Sequence, residues 1–371
     1  MKKTILLFSI ILTLSLCSCV NSQTANVTPN IALLPALQAA GYEIAYVGSY
    51  EGIEKKLIAD FNIPYTGIST GKFRRYLDPK NFSDPFRVMK GFVEARNYLK
   101  NYQPDVVFSK GGFVSVPVVR AAASLHIPCI IHESDMTPGL ANKLCIPVAE
   151  KVCCNFPETM KNIPADKAVL TGSPIRAELA QGSRLAGLNM CGFTANKPVI
   201  MVIGGSLGAA NVNKAVRDAL PKLLEDFQVV HLCGKDKIDN LLLNTPGYKQ
   251  FEYIKSELKD IFAMADVVIS RAGANAICEL LALKKPNILI PLPAASSRGD
   301  QLLNAASFEA QGYSIVLNED DITTNLLVDK VHELYFNRQK YVEAMSRSHQ
   351  MDAVNTIMSL INEAANKSHT Q

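Results

Sequence analysis

A continuous apolar run from Pro198 to Ile203 stops at two glycines, Gly204 and Gly205, and a helical pattern follows from Asn213 to Leu224. An uninterrupted apolar run of this length is typical of a parallel strand that is buried on both faces. Glycine allows a tight turn and a close approach to a ligand, and the N–H groups that open the next helix suit a phosphate. The stretch therefore predicts a strand, a phosphate-binding turn and a helix, with Ser206 as a further hydroxyl donor.

Patterns typical of strands and helices alternate along the rest of the chain. Strands separated by helices are joined by right-handed crossovers, which give parallel sheets covered by helices on both faces. A loop-rich stretch from Thr171 to Lys197 divides the alternation into two series. The first series has helices at 28–40, 51–59 and 84–101 and strands at 43–47, 105–109, 128–132 and 151–154, and the second has strands at 198–203, 228–233, 266–270, 287–291 and 313–316, followed by helices at 323–335, 339–347 and 352–367.

We therefore predict an α/β protein with two Rossmann-like, doubly wound domains that face a cleft. A length of 371 residues fits two domains, since a domain averages about 150 residues. The first domain is expected at 27–175 and the second at 176–350. Residues 351–371 are expected to form a C-terminal helix that crosses back to the first domain.

The composition excludes several classes of protein. With 48% hydrophobic and 19% charged residues, the chain is globular rather than disordered. A net charge of +4 is too small to indicate a nucleic-acid-binding protein. The nine cysteines include no Cys-x-x-Cys pair, and several lie in apolar runs, which is typical of reduced thiols in a cytosolic protein.

The N-terminus conflicts with a cytosolic location. Two lysines precede an apolar run from Thr4 to Leu16, and the sequence Leu16-Cys17-Ser18-Cys19 follows, similar to a bacterial lipobox with Cys19 as the lipid-bearing residue. The run is shorter than the roughly 20 residues of a membrane-spanning helix. It is also long for a buried first strand, which is the alternative. We therefore interpret residues 1–26 as a signal-like or atypical segment.

Polar and glycine-rich loops follow several of the expected strands and open the next helix. The carboxyl ends of parallel strands share one edge of a sheet, which is where doubly wound folds bind their ligands. Taken singly, His132 and Glu133 fit a hydrogen-bonded structural pair, and Glu279 fits a solvent-facing residue. Their gathering at one edge favours a functional site. The loops are Lys110–Ser115, His132–Asp135 with Thr137–Asn142, Arg271–Asn275 with Glu279, and Arg298–Gln301.

Several nucleotide-binding motifs are missing from the sequence. It contains neither G-x-x-x-x-G-K-[ST] nor G-x-G-x-x-G, which argues against an ATPase and a classical nicotinamide enzyme. No acidic pair follows a strand as a metal-dependent nucleotide-sugar site requires, so we expect no metal and no cofactor. Helix N-termini and arginine would then have to balance the charge of a diphosphate.

Together these motifs resemble the MurG family, and the resemblance runs in order from about Val27 to the C-terminus. MurG enzymes transfer N-acetylglucosamine from UDP-N-acetylglucosamine to the lipid-linked acceptor lipid I, undecaprenyl-diphospho-muramoyl-pentapeptide, to give lipid II for peptidoglycan. The resemblance implies two domains of the GT-B type and an inverting hexosyltransferase without a cofactor. The motifs are Lys110–Ser115, His132–Ser134, Gly139–Asn142, Gly172–Arg176, Gly204–Ala209, Arg271–Ala274 with Glu279, and Asp300–Gln301 with Asn304–Ala305.

The resemblance also implies roles for individual residues. The turn of Gly204, Gly205 and Ser206 would bind the donor phosphates, and Asn142 and Arg176 would reach the nucleotide-sugar. Ile254 would contact uracil through its backbone, Glu279 would bind the ribose and Gln301 the sugar. The Lys110–Gly112 loop would line the acceptor diphosphate, and the acceptor-binding residues would be Gly111, Gly112 and Ser115.

Basic and aromatic residues interleave from Lys72 to Phe92. Cations beside aromatic side chains favour an anionic bilayer surface, although a solvated loop and helix with ordinary core aromatics fits the same pattern. The resemblance supports the first interpretation, because the family works at the inner face of the membrane. We therefore expect a peripheral membrane protein on the cytoplasmic side. The residues are Lys72, Phe73, Arg74, Arg75, Tyr76, Lys80, Phe82, Phe86, Arg87, Lys90 and Phe92.

The match breaks near the N-terminus. The family has a loop of the form G-G-T-x-G-H there, whose histidine is a proposed catalytic base, whereas this chain has Asn21-Ser22-Gln23-Thr24-Ala25-Asn26. An asparagine amide cannot accept a proton at neutral pH, and residues with side chains resist close ligand approach. We therefore expect impaired transfer and leave the base unassigned, with Glu133 and His132 as weak candidates.

Two alternatives remain open at this point. One is a non-catalytic exported lipoprotein, anchored at Cys19, that binds a nucleotide-sugar or lipid. The other is a different GT-B enzyme, such as a lipid glycosyltransferase or a nucleotide-sugar epimerase. The impaired transferase is preferred because the resemblance covers more than nine-tenths of the chain.

Overall fold

The computed structural model describes residues 3–8, 22–71, 80–204, 209–294 and 299–368, and these fall into two compact units. The N-terminal unit comprises the described residues up to Arg176 together with 352–368, and the C-terminal unit comprises those from Ala177 to Met351. Strands and helices alternate in both units. The elements of the N-terminal unit are β1 (Lys3–Phe8), α1 (Ser22–Ala39), β2 (Tyr42–Ser49), α2 (Ile53–Ala59), β3 (Tyr65–Ile68), α3 (Lys80–Tyr102), β4 (Val106–Ser109), α4 (Ser115–Ser124), β5 (Cys129–Glu133), α5 (Leu140–Cys145), β6 (Lys151–Cys154), α6 (Pro157–Met160) and β7 (Ala168–Leu170).

The N-terminal unit is built on a parallel sheet in the order β3-β2-β1-β4-β5-β6-β7. This is the strand order of the Rossmann fold, in which the direction of winding reverses between the first and fourth strands. Ile5 of β1 pairs with Ile44 of β2 on one side and with Val106 of β4 on the other. The strand that begins the chain is therefore central to this sheet.

For its first residues, the segment 1–26 takes the form of the alternative that the sequence left open, a buried first strand. Lys3–Phe8 is a strand of six residues, and Ile5 is fully buried in the core of the unit. The burial of Ile5 fits a central parallel strand, which is covered by helices on both faces of the sheet. Residues 9–21, which include Cys17 and Cys19, lie outside the described residues.

Several elements differ in extent from the sequence prediction. Helix α1 begins at Ser22 rather than at Thr28, and Pro29 lies inside it. The sequence prediction omitted the strands β3 and β7, which have only four and three residues. The stretch 171–197, predicted as loop, contains a helix from Arg184 to Cys191. Ser183 caps this helix by accepting a hydrogen bond from the Ala186 N–H.

The C-terminal unit repeats the same plan. Its sheet is parallel, with the order β10-β9-β8-β11-β12-β13. The sequence pattern does not indicate β10, whose two middle residues, Lys249 and Gln250, are polar. Its elements are α7 (Arg184–Cys191), β8 (Val199–Ile203), α8 (Ala210–Asp226), β9 (Gln228–Leu232), β10 (Tyr248–Phe251), α9 (Leu258–Met264), β11 (Val267–Ser270), α10 (Ala274–Ala282), β12 (Asn287–Leu289), α11 (Asp300–Ala310), β13 (Ser314–Val316), α12 (Thr324–Phe336) and α13 (Arg338–Ser346).

The last helix, α14 (Ala353–Ser368), belongs to the N-terminal unit. It packs against α1, β4 and β5, and Ile361 is fully buried in the same cluster as Ile5, Leu33 and Phe108. Tyr42 also donates a hydrogen bond of 2.7 Å to Asn362. The chain thus returns to its first sheet after completing the second.

Burial is the common property of the described cysteines. Seven cysteines of the described residues are unpaired and buried, and burial raises the pKa of the Cys153 thiol to about 12. Such thiols behave as small apolar side chains. Within the described part of the chain, no helix combines the length and the apolar character needed to cross a bilayer.

Replacing Ile361 by alanine should destabilise the N-terminal unit. The side chain is fully buried, and a deletion of this size costs about 2–5 kcal/mol in free energy of unfolding. Urea denaturation followed by circular dichroism measures the change. The control is Asn355→Ala at an exposed position of the same helix, expected within about 0.5 kcal/mol of wild type. Equal effects of both variants would contradict the packing of α14.

Candidate functional site

The polar loops of both units lie at the carboxyl ends of their strands. In the N-terminal unit, residues 110–114 follow β4, beside the central strand β1. In the C-terminal unit, Gly204 follows the central strand β8, and residues 271–273 follow its neighbour β11. Ligands of doubly wound folds bind where the winding reverses, which is between these strands. Each unit therefore presents a candidate binding edge.

The loop after β4 depends on two glycines in the left-handed region. Gly111 has φ +93° and Gly112 has φ +82°. A side-chain carbon at Gly111 would lie 3.0 Å from Nδ2 and 3.2 Å from Oδ1 of Asn142. The loop opens helix α4, where the buried Ser115 hydroxyl is hydrogen-bonded to that of Ser109. Three predicted residues, Gly111, Gly112 and Ser115, are thus brought together, and Asn142 lies beside Gly111.

Lys110 is buried and holds neighbouring loops together. Its Nζ donates hydrogen bonds of 2.9 Å to His132 Nδ1 and to Ser134 Oγ, and one of 3.5 Å to Ser173 Oγ. His132 is the last residue but one of β5, Ser134 follows β5, and Ser173 follows β7. His132 Nε2 in turn bonds the Gly172 carbonyl at 2.9 Å and must be the donor there. Lys110 therefore serves as a tie between strand ends.

Glu133 organises the next loop. Its Oε1 accepts a hydrogen bond of 2.9 Å from the Asp135 N–H, and its Oε2 accepts from the Gly139 N–H at 3.0 Å and from Asn142 Nδ2 at 2.8 Å. Asn142 Nδ2 also donates to the His132 carbonyl, whereas Asn142 Oδ1 is buried and has no hydrogen-bond partner in the described part of the chain. Burial raises the pKa of the Glu133 carboxyl, and these hydrogen bonds partly oppose that shift.

His132 and Glu133, the two candidates for the general base, both take part in these hydrogen bonds. Burial, followed by the charge of Lys110, places the pKa of His132 well below its ordinary range. The ring is therefore neutral, but its Nδ1 lone pair accepts the Lys110 hydrogen bond. Both oxygens of Glu133 accept hydrogen bonds. A base must take up a proton from a reacting group, and this geometry favours positioning roles for both residues.

The donor turn of the C-terminal unit is described at its two ends. A side-chain carbon at Gly204 would lie 2.8 Å from the Ala209 nitrogen, so only glycine fits there. Ala209 is the residue that precedes α8. Gly205 and Ser206 lie outside the described residues. The described ends fit a tight strand–turn–helix junction, as the sequence predicts.

Arg271 and Glu319 form a buried ion pair at this edge. The Arg271 side chain is 10% exposed and that of Glu319 is 7% exposed. Arg271 Nη1 also donates to the carbonyls of Ile290 at 3.1 Å and Pro291 at 3.2 Å. Glu319 Oε1 accepts a hydrogen bond of 2.5 Å from Asn211 Nδ2 in the first turn of α8. The pair thus connects residues that follow four different strands.

The sequence does not indicate that Glu319 pairs with Arg271. It lies in a short 3₁₀ turn shortly after β13, among other acidic residues, and its pattern is that of a solvated turn. Arg271 was part of a recognised motif without a role of its own. Asn304 supports the same loop, because its Nδ2 donates to the Ala272 carbonyl at 3.1 Å. The only available signal was the position of Glu319 beyond a strand end.

The remaining predicted residues are placed as follows. Gln301, in the first turn of α11, accepts a hydrogen bond of 3.1 Å from the Leu292 N–H. Glu279 is half-buried on α10, and Ile254 is buried after β10. Arg176 ends the N-terminal unit, and its buried Nε has no partner among the described residues. Asn26 lies within α1, and its side chain is outside the described part of the structure.

Comparison with protein-family models gives two matches. The glycosyltransferase family 28 N-terminal domain matches residues 26–154. The glycosyltransferase family 28 C-terminal domain matches residues 199–361. The first match lies in the N-terminal unit, and the second extends from β8 into α14.

Curated relatives and a solved structure match over nearly full length. A UDP-N-acetylglucosamine--N-acetylmuramyl-(pentapeptide) pyrophosphoryl-undecaprenol N-acetylglucosamine transferase of Lachnospira eligens is 62% identical over 338 residues, or 91% of this chain and 96% of the relative. The transferase of the same name from Lachnoclostridium phytofermentans is 63% identical over 91% of this chain and 95% of its own. The crystal structure of Acinetobacter baumannii MurG has a TM-score of 0.73 at 25% identity, covering 97% of this chain and 99% of that one.

Two parallel α/β units, each with a glycine-dependent turn at the edge where its winding reverses, define a glycosyltransferase of the GT-B type. Identity above 60% with relatives of nearly the same extent then decides the family. The chain belongs to the MurG family of N-acetylglucosamine transferases.

The buried state of His132 predicts how stability depends on pH. In the unfolded chain a histidine has a pKa of about 6.5, whereas in the folded chain the pKa of His132 is well below that value. Below about pH 6.5 the unfolded state therefore binds a proton that the folded state does not, and stability falls by up to about 1.4 kcal/mol per pH unit. Above about pH 7.5 this contribution no longer changes with pH.

Urea denaturation between pH 7 and pH 5 measures this effect. His132→Gln should lower stability at pH 7 but should flatten the acid slope relative to wild type. The range from pH 7.5 to pH 8.5 serves as an internal control, in which the two slopes should agree. An acid slope unchanged by the substitution would show that His132 is protonated in the folded chain.

Proposed function

We propose that the chain carries out the reaction for which its relatives are named. It would transfer N-acetylglucosamine from UDP-N-acetylglucosamine to lipid I, and so make lipid II for peptidoglycan. The observation that carries the proposal is 62% identity extending over 96% of a curated transferase. Neither alternative considered above, an exported lipoprotein or a different GT-B enzyme, gains support from these relatives.

The donor would be bound mainly by the C-terminal unit. The turn of Gly204, Gly205 and Ser206 would place the N-terminus of α8 at the diphosphate, where its N–H groups and dipole offset negative charge. Ile254 is proposed to contact uracil, Glu279 the ribose and Gln301 the sugar. Asn142 and Arg176 remain proposed contacts of the nucleotide-sugar.

The acceptor would be bound by the N-terminal unit. Gly111 and Gly112 bring backbone close to the N-terminal end of α4, which suits the acceptor diphosphate. Ser115 stands in the first turn of that helix, fully buried beside Ser109. Support comes from Lys110 as well, because its buried amino group adds positive potential behind the loop.

The reaction inverts the anomeric carbon. The 4-hydroxyl oxygen of the acceptor forms the new bond to that carbon, the bond from it to the UDP oxygen breaks, and UDP leaves with the electron pair. The hydroxyl proton must pass to a base. Donors at the α8 turn would stabilise the charge that develops on UDP. Asn26 stands where the family has its histidine, so transfer in this chain should be impaired.

This chain should therefore bind the donor but transfer its sugar only slowly. Isothermal titration calorimetry should detect UDP-N-acetylglucosamine binding by the wild-type chain, while release of UDP in the presence of lipid I stays at least about 100-fold below that of the Lachnospira relative, since acid–base catalysis contributes about 10²–10⁴-fold.

A graft tests the cause of the low rate. The substitutions N21G, S22G, Q23T, A25G and N26H together should raise the rate, and the matched control carries the first four without N26H. Transfer by the wild-type chain at the rate of the relative would contradict the role given to this segment. An absence of donor binding would contradict the proposed function itself.

We also propose that the N-terminal unit binds the cytoplasmic face of an anionic membrane. Phe86, Met89 and Val93 lie on one face of α3, and 78%, 64% and 50% of each is exposed. Arg87 and Lys90 are exposed on the same helix. Apolar side chains flanked by cations suit an anionic bilayer surface. Phe92, by contrast, packs into the core, and residues 72–79 lie outside the described part.

A double substitution tests the membrane surface. Phe86→Ser with Met89→Ser should weaken binding to phosphatidylglycerol vesicles, measured by co-sedimentation, by about 100-fold, because each of the two large apolar groups contributes roughly 1.5 kcal/mol or more. The matched control is Phe336→Ser in the C-terminal unit, at a position that is 75% exposed. Equal binding by both variants would place the membrane contact elsewhere.

A further inference from the structure

The ion pair of Arg271 and Glu319 lies at the carboxyl ends of the C-terminal strands, where the donor is proposed to bind, but it is buried. Both side chains are at most one-tenth exposed. One nitrogen of the Arg271 guanidinium pairs with Glu319, and another donates to two backbone carbonyls after β12. An arginine with these partners has little capacity left for a diphosphate. Its position directly after β11, the neighbour of the strand that leads into the phosphate turn, would suggest a direct ligand and is therefore misleading.

The pair forms the middle of a hydrogen-bonded chain along the edge of the sheet. At one end, Glu319 accepts from Asn211 in the first turn of α8. At the other end, Arg271 holds the backbone carbonyls of Ile290 and Pro291. The next residue, Leu292, donates to Gln301 Oε1 in the first turn of α11. The two helix N-termini that the proposed function assigns to phosphate and sugar are thus joined through buried charges.

We propose that Arg271 and Glu319 are positioning residues for the donor, which fix the N-terminus of α8 relative to the first turn of α11, where Gln301 lies. This inference rests on the proposed function, because it assigns the donor diphosphate to that turn. A helix N-terminus binds an anion only where its N–H groups converge on it, so a small displacement of α8 weakens binding. Neither residue contacts the donor.

The proposal and simple electrostatics predict opposite changes in UDP affinity when the charge of Glu319 is removed. Removing a negative charge near a binding site should strengthen the binding of an anionic ligand. If Glu319 merely competed with phosphate for Arg271, Glu319→Gln would also strengthen it. As a positioning residue, Glu319 has the opposite effect, because its loss releases both Arg271 and Asn211.

Calorimetric titration of the full chain with UDP and with uridine tests this. Glu319→Gln should raise the Kd of UDP by about ten-fold, the worth of one charge-assisted hydrogen bond. The Kd of uridine, measured by competition, should stay unchanged, since uridine has no phosphate. Asn211→Ala, which leaves the buried ion pair intact, should raise the Kd of UDP by about three-fold.

Asp320→Asn is the matched control. It removes one negative charge from the neighbouring exposed position and leaves the ion pair intact, so the Kd of UDP should stay the same or fall slightly. If Glu319→Gln does not fold, Asn211→Ala decides the question by the same criterion.

The inference is overturned if UDP binds the decisive variant as tightly as wild type or more tightly, or if the Kd of uridine rises by the same factor as that of UDP. A wild-type chain that binds neither UDP nor UDP-N-acetylglucosamine would overturn the proposed function and this inference together. Loss confined to the variants would leave the proposed function in place.

Discussion

Burial of short parallel strands on both faces is the constraint on which the rest of this structure depends. The backbone groups of such strands pair with each other, and their side chains must be apolar on both faces. Polar residues are therefore displaced to the strand ends, which all meet at one edge. Lys110 and Arg271 illustrate the result, because each follows a buried strand, is itself buried, and bonds to the ends of neighbouring strands.

The two units meet this constraint with different chemistry. In the N-terminal unit the tie is Lys110, bound to a neutral histidine and to hydroxyl groups. In the C-terminal unit it is a guanidinium paired with a carboxylate. Breaking such a buried pair costs about 3–5 kcal/mol, because one charge remains uncompensated. Both sets of contacts fix the relative positions of loops. We therefore expect them to affect ligand binding by positioning other groups rather than by contacting the ligand.

The sequence was sufficient for the fold class and for most elements, for physical reasons that particular residues show. The apolar runs at 199–203 and 267–270 are strands, since nothing but burial on both faces explains them. It was insufficient for β3, β7 and β10, which have only three or four residues, and for α7, which contains Gly187 and lies between Gly182 and Gly192. It left two interpretations open for Lys3–Phe8, because a charged start and an apolar run fit both a signal and a buried strand, and the structure has a strand there.

Candidate site residues were predictable by position and less so by role. His132 and Glu133 lie at the expected strand end, yet only their partners reveal how both are engaged. A residue type says which bonds a side chain can make, whereas its function depends on which of them are already made. Glu319 shows the converse, since an acidic turn of ordinary composition contains the carboxylate that pairs with Arg271.

The bonds that a side chain already makes also limit which residues can serve as the catalytic base. A base has to change its protonation state during the reaction, and so it must be able to take up a proton without breaking the contacts that hold it. A residue that ties loops together has the opposite requirement, because any change in its protonation would release the loops. His132 and Glu133 meet the second requirement through their hydrogen bonds. We therefore propose that neither residue replaces the family's histidine, whose position in this chain is occupied by Asn26.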